Sequence, residues 1–154
     1  MNERRTARRL ALDVLYEAEI RDRLPAEALV ARGSEGWVVA GPEDEVAEED
    51  PVTPSPAVMS YAAELVEGVQ EHQAHIDELI VRYADRWAIT RMPVVDRTLL
   101  RIAIFELLWG DDIPVAVAIN EAVEIGKSLS TEDSGRFING LLGRIAESER
   151  PAGE

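Results

Sequence analysis

The sequence predicts an all-α fold of two packed helical bundles, and three observations carry that reading. Apolar residues recur at helical spacings along most of the chain. No useful stretch alternates with the period of two that a half-buried strand needs. Glycine, proline and acidic residues gather in one segment instead of punctuating many short elements. With 154 residues and 46% hydrophobic composition, the chain can bury a real core.

The elements follow in order. Ala7, Leu10, Ala11, Val14, Leu15 and Ala18 give residues 4–20 one apolar side. Residues 31–57 break the pattern with Gly33, Gly36, Gly41, Pro42, Pro51, Pro54 and Pro56, and read as a long loop in which Trp37, Val38 and Val39 form an apolar exception. A second helix carries Tyr61, Ala62, Leu65, Val66 and Val69, and a third carries Ile76, Leu79, Ile80, Tyr83 and Trp87. After a turn at 89–92, Pro93 suits the first position of a fourth helix holding Val95, Leu99, Ile102, Ala103, Ile104 and Leu107. Pro114 opens a fifth with Val117, Ala118, Ala122, Val123 and Ile125. Asp133 or Ser134 is suited to cap the last, which holds Phe137, Ile138, Leu141, Leu142 and Ile145. The expected division is an N-terminal bundle over 1–88, with an acidic loop at about 31–57, and a C-terminal bundle over 89–154.

A net charge of −14 taken alone opposes binding to nucleic acid. Its distribution reverses that inference for one end of the chain. Seven acids and no Lys or Arg lie between Gly33 and Ala57, which is half of the net charge. Residues 1–9 hold Arg4, Arg5, Arg8 and Arg9 against Glu3 alone. There are no cysteines, which excludes disulfides, thiolate metal sites and a cysteine nucleophile. The start is amphipathic and no apolar run is long enough to span a bilayer, so the expected compartment is the cytoplasm, with no membrane partner.

Signals for catalysis or cofactors are weak. His72 and His75 have no Glu three residues before them, so the pairing that builds metal sites in helical bundles is absent, and a solvated position is the plainer reading. No phosphate-cradling glycine loop or nucleophile elbow is present. Gly140-Leu141-Leu142-Gly143 has the form of a GXXG loop, but it lies inside an apolar helical pattern, where close helix packing explains it better. No catalytic residue, metal or cofactor is expected.

A helical wheel sharpens the basic start. With Arg5 at zero and about 100° per residue, Arg9 falls near 40°, Tyr16 near 20° and Arg8 near 300°. Leu10, near 140°, and Leu15, near 280°, bound the apolar side. Arg5, Arg9 and Tyr16 therefore share a stripe suited to phosphates and stacked bases, or form an ordinary solvated helix start whose tyrosine edges the core.

Four stretches then line up. Arg4–Tyr16 reads R-R-x-A-R-x-x-A-L-x-x-L-Y; Asp96–Leu107 reads D-R-x-x-L-R-x-A-x-x-E-L; Asp112–Ala122 reads D-I-P-x-x-V-A-I-N-E-A; and Ser134–Leu142 reads S-x-x-F-I-N-G-x-L. In order and spacing these resemble the NusB family over about 4–30 and 58–147, while residues 31–57 depart from the family's usual helical connection. The resemblance implies two helical bundles and a non-enzymatic transcription antitermination factor. Such a factor binds boxA RNA in nascent ribosomal transcripts, jointly with the ribosomal protein NusE, and joins the RNA polymerase antitermination complex. It also implies that Arg4, Arg5, Arg8 and Arg9 contact phosphates, that Phe137 and Asp133 lie at the RNA surface, and that Tyr16 and Asp96 face NusE. Self-association into a homodimer is compatible with the family.

Each assignment has a plainer counterpart. Phe137 has apolar neighbours that suit a core residue, and Asp133 suits an N-cap. Asp96 can pair with Arg97 or Arg101, or support the helix start through the dipole. Asn120 and Glu121 read as structural, with Arg97, Arg101 and Glu106 in the same polar network. Two other functions compete: a protein-binding helical adaptor without RNA binding, which the −14 charge favours, and a stand-alone relative of the RNA-binding domain of RNA cytosine methyltransferases, with no room before Glu154 for a catalytic domain. The acidic loop suggests a cover for the basic start, or else a solvated insertion.

Overall fold

The computed structural model describes residues 3–35, 54–84, 89–110 and 112–149, and among them there is no strand. Among the described residues six helices run in order: α1 Glu3–Ile20, α2 Pro25–Glu35, α3 Pro56–Tyr83, α4 Val94–Trp109, α5 Val115–Leu129 and α6 Glu132–Glu149, with a short 3-10 turn at Ile89–Arg91. The chain divides into two compact units, Met1–Gln70 and Glu71–Glu154, whose border falls inside α3. Among the described residues no helix is long and apolar enough to cross a membrane.

Two expectations are corrected at this level. Residues 61–69 and 76–83 belong to one 28-residue helix, α3, and not to two. The polar run Glu71-His72-Gln73 interrupts the apolar period, but nothing in it breaks the backbone ladder. Helix α2 was not anticipated, and it extends through 31–35, residues assigned to the loop. Trp37–Val39 and the acids from Glu43 to Asp50 lie outside the described residues, as does Trp87.

In the first unit α1 and α2 form a hairpin. Asp22 takes the left-handed conformation (φ 52°), and Arg23 N–H returns to the Ala18 carbonyl at 2.8 Å, which closes the last turn of α1. Pro25 then starts α2, where its missing N–H costs nothing. The Ala26 N–H is satisfied by Gln70 Oε1 at 2.8 Å. Ala7, Leu10, Ala11, Val14, Leu15 and Ala18 are buried, as are Ala62, Leu65, Val66 and Val69 of α3.

The second unit is built on Leu99, Leu100, Ile104 and Leu107 of α4 with Ile138, Leu141, Leu142 and Ile145 of α6. Each such side chain contributes roughly 2–3 kcal/mol when fully buried. Gly126 allows α5 and α6 to approach: a Cβ there would lie 2.9 Å from Ile138 Cδ1. Arg101 forks onto Asp77 at 2.8 and 3.1 Å, joining α4 to α3. Pro93 is the N-cap of α4 and not its first helical residue.

Candidate nucleic-acid and partner surfaces

The four arginines of α1 are not equivalent. Arg5 is exposed and Arg9 is half-buried. The Arg4 guanidinium lies over the Tyr61 ring, 4.4 Å from its centroid. Arg8 lies 5.9 Å from the same centroid and is only 3% exposed. The phosphate role expected for Arg8 therefore needs correcting: its side chain is inside, although the wheel put it near 300°, just outside the apolar arc that Leu15 bounds. Tyr16, at 41% exposure, lies outward. Tyr61 was missed, because a half-buried aromatic in a distant helix carries no local sign of what it faces.

Acids on the same helix shape this surface. Burial pushes the Asp13 carboxyl above its ordinary value, against the opposing pull of Arg32 and Arg9. One turn on, the Glu17 carboxylate accepts Arg32 Nε–H at 3.0 Å, and that bond holds it below its ordinary value.

The second unit gathers the remaining candidates around the start of α6. Asp96, in the first turn of α4, is fully buried and accepts the Ser134 hydroxyl on Oδ2 at 2.7 Å. Its Oδ1 has no hydrogen-bond partner among the described residues. Ser134 Oγ in turn lies 3.0 Å from Ser130 Oγ and 3.2 Å from Thr131 Oγ1. Because the single Ser134 proton goes to Asp96, both neighbouring hydroxyls act as donors to it. Neither Arg97 nor Arg101 is the observed partner of Asp96: Arg97 donates to the Met92 carbonyl and Arg101 to Asp77. The side chain that caps α6 is neither Asp133 nor Ser134. Thr131 Oγ1 accepts the Ser134 N–H at 3.0 Å. Asp133 is exposed in the first turn and pairs with Arg136. Phe137 is half-buried, at the rim of the fully buried row of Ile138, Leu141 and Leu142.

Three further readings change. His72 is only partly solvated: it is half-buried and stacks on Trp109 at 3.9 Å, with the exposed His75 edge-on to the same ring at 5.6 Å. Among the described residues Gly140 and Gly143 are not sites of close packing, since a Cβ at Gly143 would meet nothing within 4 Å and one at Gly140 would only reach Arg144. Glu106 and Glu121 are buried as structural residues would be, but Asn120 is exposed. Among the described residues no three metal-ligating side chains come together.

Comparison with known proteins settles the family. The model of the NusB family matches residues 5–147. The chain belongs to the NusB family. The transcription antitermination protein NusB of Salinispora arenicola is 50% identical over 147 residues, covering 96% of this chain and 97% of the relative. The solved NusB of T. maritima superposes with a TM-score of 0.77 at 35% identity, covering 94% of this chain and 91% of that one. A crystal structure of the antitermination factors NusB and NusE in complex with dsRNA aligns with a TM-score of 0.75 at 25% identity, over 96% and 98% of the two chains. The NusB motifs lie on mapped elements: the arginine-rich start is α1, D-R-x-x-L-R is the first half of α4, and S-x-x-F-I-N-G is the first half of α6.

Proposed function

We propose that this NusB-family chain is a non-catalytic transcription antitermination factor of the cytoplasm. It binds boxA-type RNA of nascent ribosomal transcripts jointly with NusE and enters the RNA polymerase antitermination complex. One observation carries the reading: in a chain of net charge −14, α1 turns Arg5 outward beside the half-buried Arg9 and the exposed Tyr16. Guanidinium forks at the N-terminal end of a helix suit phosphate oxygens.

Within this reading Arg4, Arg5 and Arg9 contact the RNA backbone, and Arg8 supports them from inside. Asp133 and Phe137 form an RNA-facing edge at the start of α6, with Phe137 offering a ring face to a base. Tyr16 meets NusE. Asp96, which has no exposed surface, shapes the NusE face from beneath through Ser134.

The test is fluorescence anisotropy with a labelled boxA-like RNA and a scrambled control, with and without NusE, at low and high salt. The expected result is preference for boxA, tighter binding with NusE, and loss of affinity as salt rises. NusE binding without RNA binding in any combination would leave a protein-binding adaptor instead.

A further inference from the structure

The arginine-rich start rests on a residue outside every motif that marks it. Tyr61 of α3 lies under two guanidinium groups, Arg4 at 4.4 Å and Arg8 at 5.9 Å from its ring centroid. We propose that Tyr61 is a positioning residue for RNA binding: its ring holds the Arg4 guanidinium in the place from which it meets the RNA backbone. The inference rests on the RNA-binding reading above.

The physical case has three parts. An arginine near a helix start samples many rotamers, and fixing it on binding weakens the complex. A guanidinium over an aromatic face within about 6 Å of the centroid is held by the ring's electron-rich surface before any ligand arrives. Stacking uses the face of the guanidinium, whereas a phosphate is recognised by its in-plane N–H fork, so one contact does not exclude the other. Arg8, at 3% exposure, remains beneath as a fixed positive charge next to the half-buried Arg4.

The experiment measures RNA affinity of the full chain with NusE across a salt series for wild type, Tyr61→Phe, Tyr61→Leu, Arg4→Ala and the Tyr61→Leu/Arg4→Ala double variant. Tyr61→Leu is expected to lower affinity roughly three- to tenfold at low salt and to flatten the log–log salt slope by about 0.7, the equivalent of one phosphate contact to a single strand. Tyr61→Phe, which keeps the ring face, should retain wild-type affinity and slope. Arg4→Ala should cost little more once the leucine is in place. An unchanged slope in Tyr61→Leu, or an Arg4→Ala loss equally large in both backgrounds, would overturn the proposal. If the leucine variant fails to fold, the Arg4 Nε–H resonance decides: it should shift upfield from the Tyr61 ring current in wild type and in Tyr61→Phe, and should lose that ordering on RNA binding if the contact does not serve it. Wild type that binds no RNA would sink the functional reading and this inference together, whereas wild-type binding with an unaffected leucine variant would sink the inference alone.

Discussion

Helices α1 and α6 begin in opposite ways. The start of α6 follows the rules of helix stability: Thr131 caps it through the Ser134 N–H, and Glu132 and Asp133 put negative charge at the positive end of the dipole. The start of α1 breaks them. It places Arg4, Arg5, Arg8 and Arg9 in its first two turns with Glu3 as the lone acid, and it buries one of those arginines. Misplaced charges of this kind cost roughly 0.3–1 kcal/mol each at low salt. Under the proposed reading these are the turns that the RNA backbone meets, and departures from local consistency are expected at such sites. The start of α6 is tied together by the hydroxyls of Ser130, Thr131 and Ser134, and its candidate residue Asp133 pairs with Arg136 on the surface.

The strongest way to break this comparison is to reverse the charges that point outward. The Arg5→Glu/Arg9→Glu variant should lose about 3 kcal/mol of RNA binding at low salt, on the order of a hundredfold, because two charge-assisted contacts become repulsions. Its thermal midpoint should hold or rise, since acids suit the start of α1. Anisotropy and thermal melts measured on the same sample decide the matter. RNA affinity equal to wild type would remove the functional account of α1 and leave its arginines unexplained.

On the α6 side, Ser134→Ala should cost about 2 kcal/mol of folding stability by urea denaturation. Asp96 Oδ2 loses the hydroxyl it accepts, while Oδ1 already lacks a partner among the described residues. Adding Asp96→Asn to Ser134→Ala should cost less than the two changes made separately. A neutral Ser134→Ala would show that water serves Asp96 well enough, and that the start of α6 owes its order to Thr131.

How much of this could be read beforehand follows from the range of each interaction. The apolar rows of α1, α4, α5 and α6 repeat within a few residues and were visible as helices. Helix α2 was hidden because Pro25 and Gly33 bracket a short stretch of weak periodicity, and α3 looked like two helices because polar residues interrupt its stripe without interrupting its backbone. The outward Arg5 follows from 3.6-residue geometry, whereas the inward Arg8, about 20° outside the apolar arc, does not. Nor does Asp96: the sequence offers Arg97, Arg101 or the helix dipole as its partner, whereas the hydroxyl that donates to it stands 38 residues away. The stacking of His72 on Trp109 and the seat of Arg4 on Tyr61 are likewise products of tertiary packing, invisible to spacing.

The consistency of α6 has one flaw of its own. Gly143 lies mid-helix with nothing among the described residues within 4 Å of where a Cβ would stand. Gly143→Ala should therefore raise stability by roughly 0.5–1 kcal/mol by restricting the unfolded chain. A thermal melt is enough to see it. A loss would mean that the glycine serves the helix in a way that local chain entropy does not cover.

The smallest expected effect is the one most specific to α1, and it depends on sign. The Asp13 carboxyl has its folded value raised, chiefly by burial, so above that value the folded state carries a charge that the unfolded state solvates freely. Asp13→Asn should then be more stable than wild type at neutral pH, with the gain shrinking as pH falls through the raised value and vanishing below the ordinary aspartate range. Glu17, held low by Arg32, runs the other way: its contribution is present above the ordinary glutamate value and lost as pH falls through the lowered one. Glu17→Gln should be less stable at neutral pH and approach wild type in acid. Urea melts of both variants across the acidic range separate the two cases. If both lost stability at neutral pH, Asp13 would be acting as a true partner of Arg9 and Arg32, and the acids of α1 would be balancing its arginines instead of competing with burial.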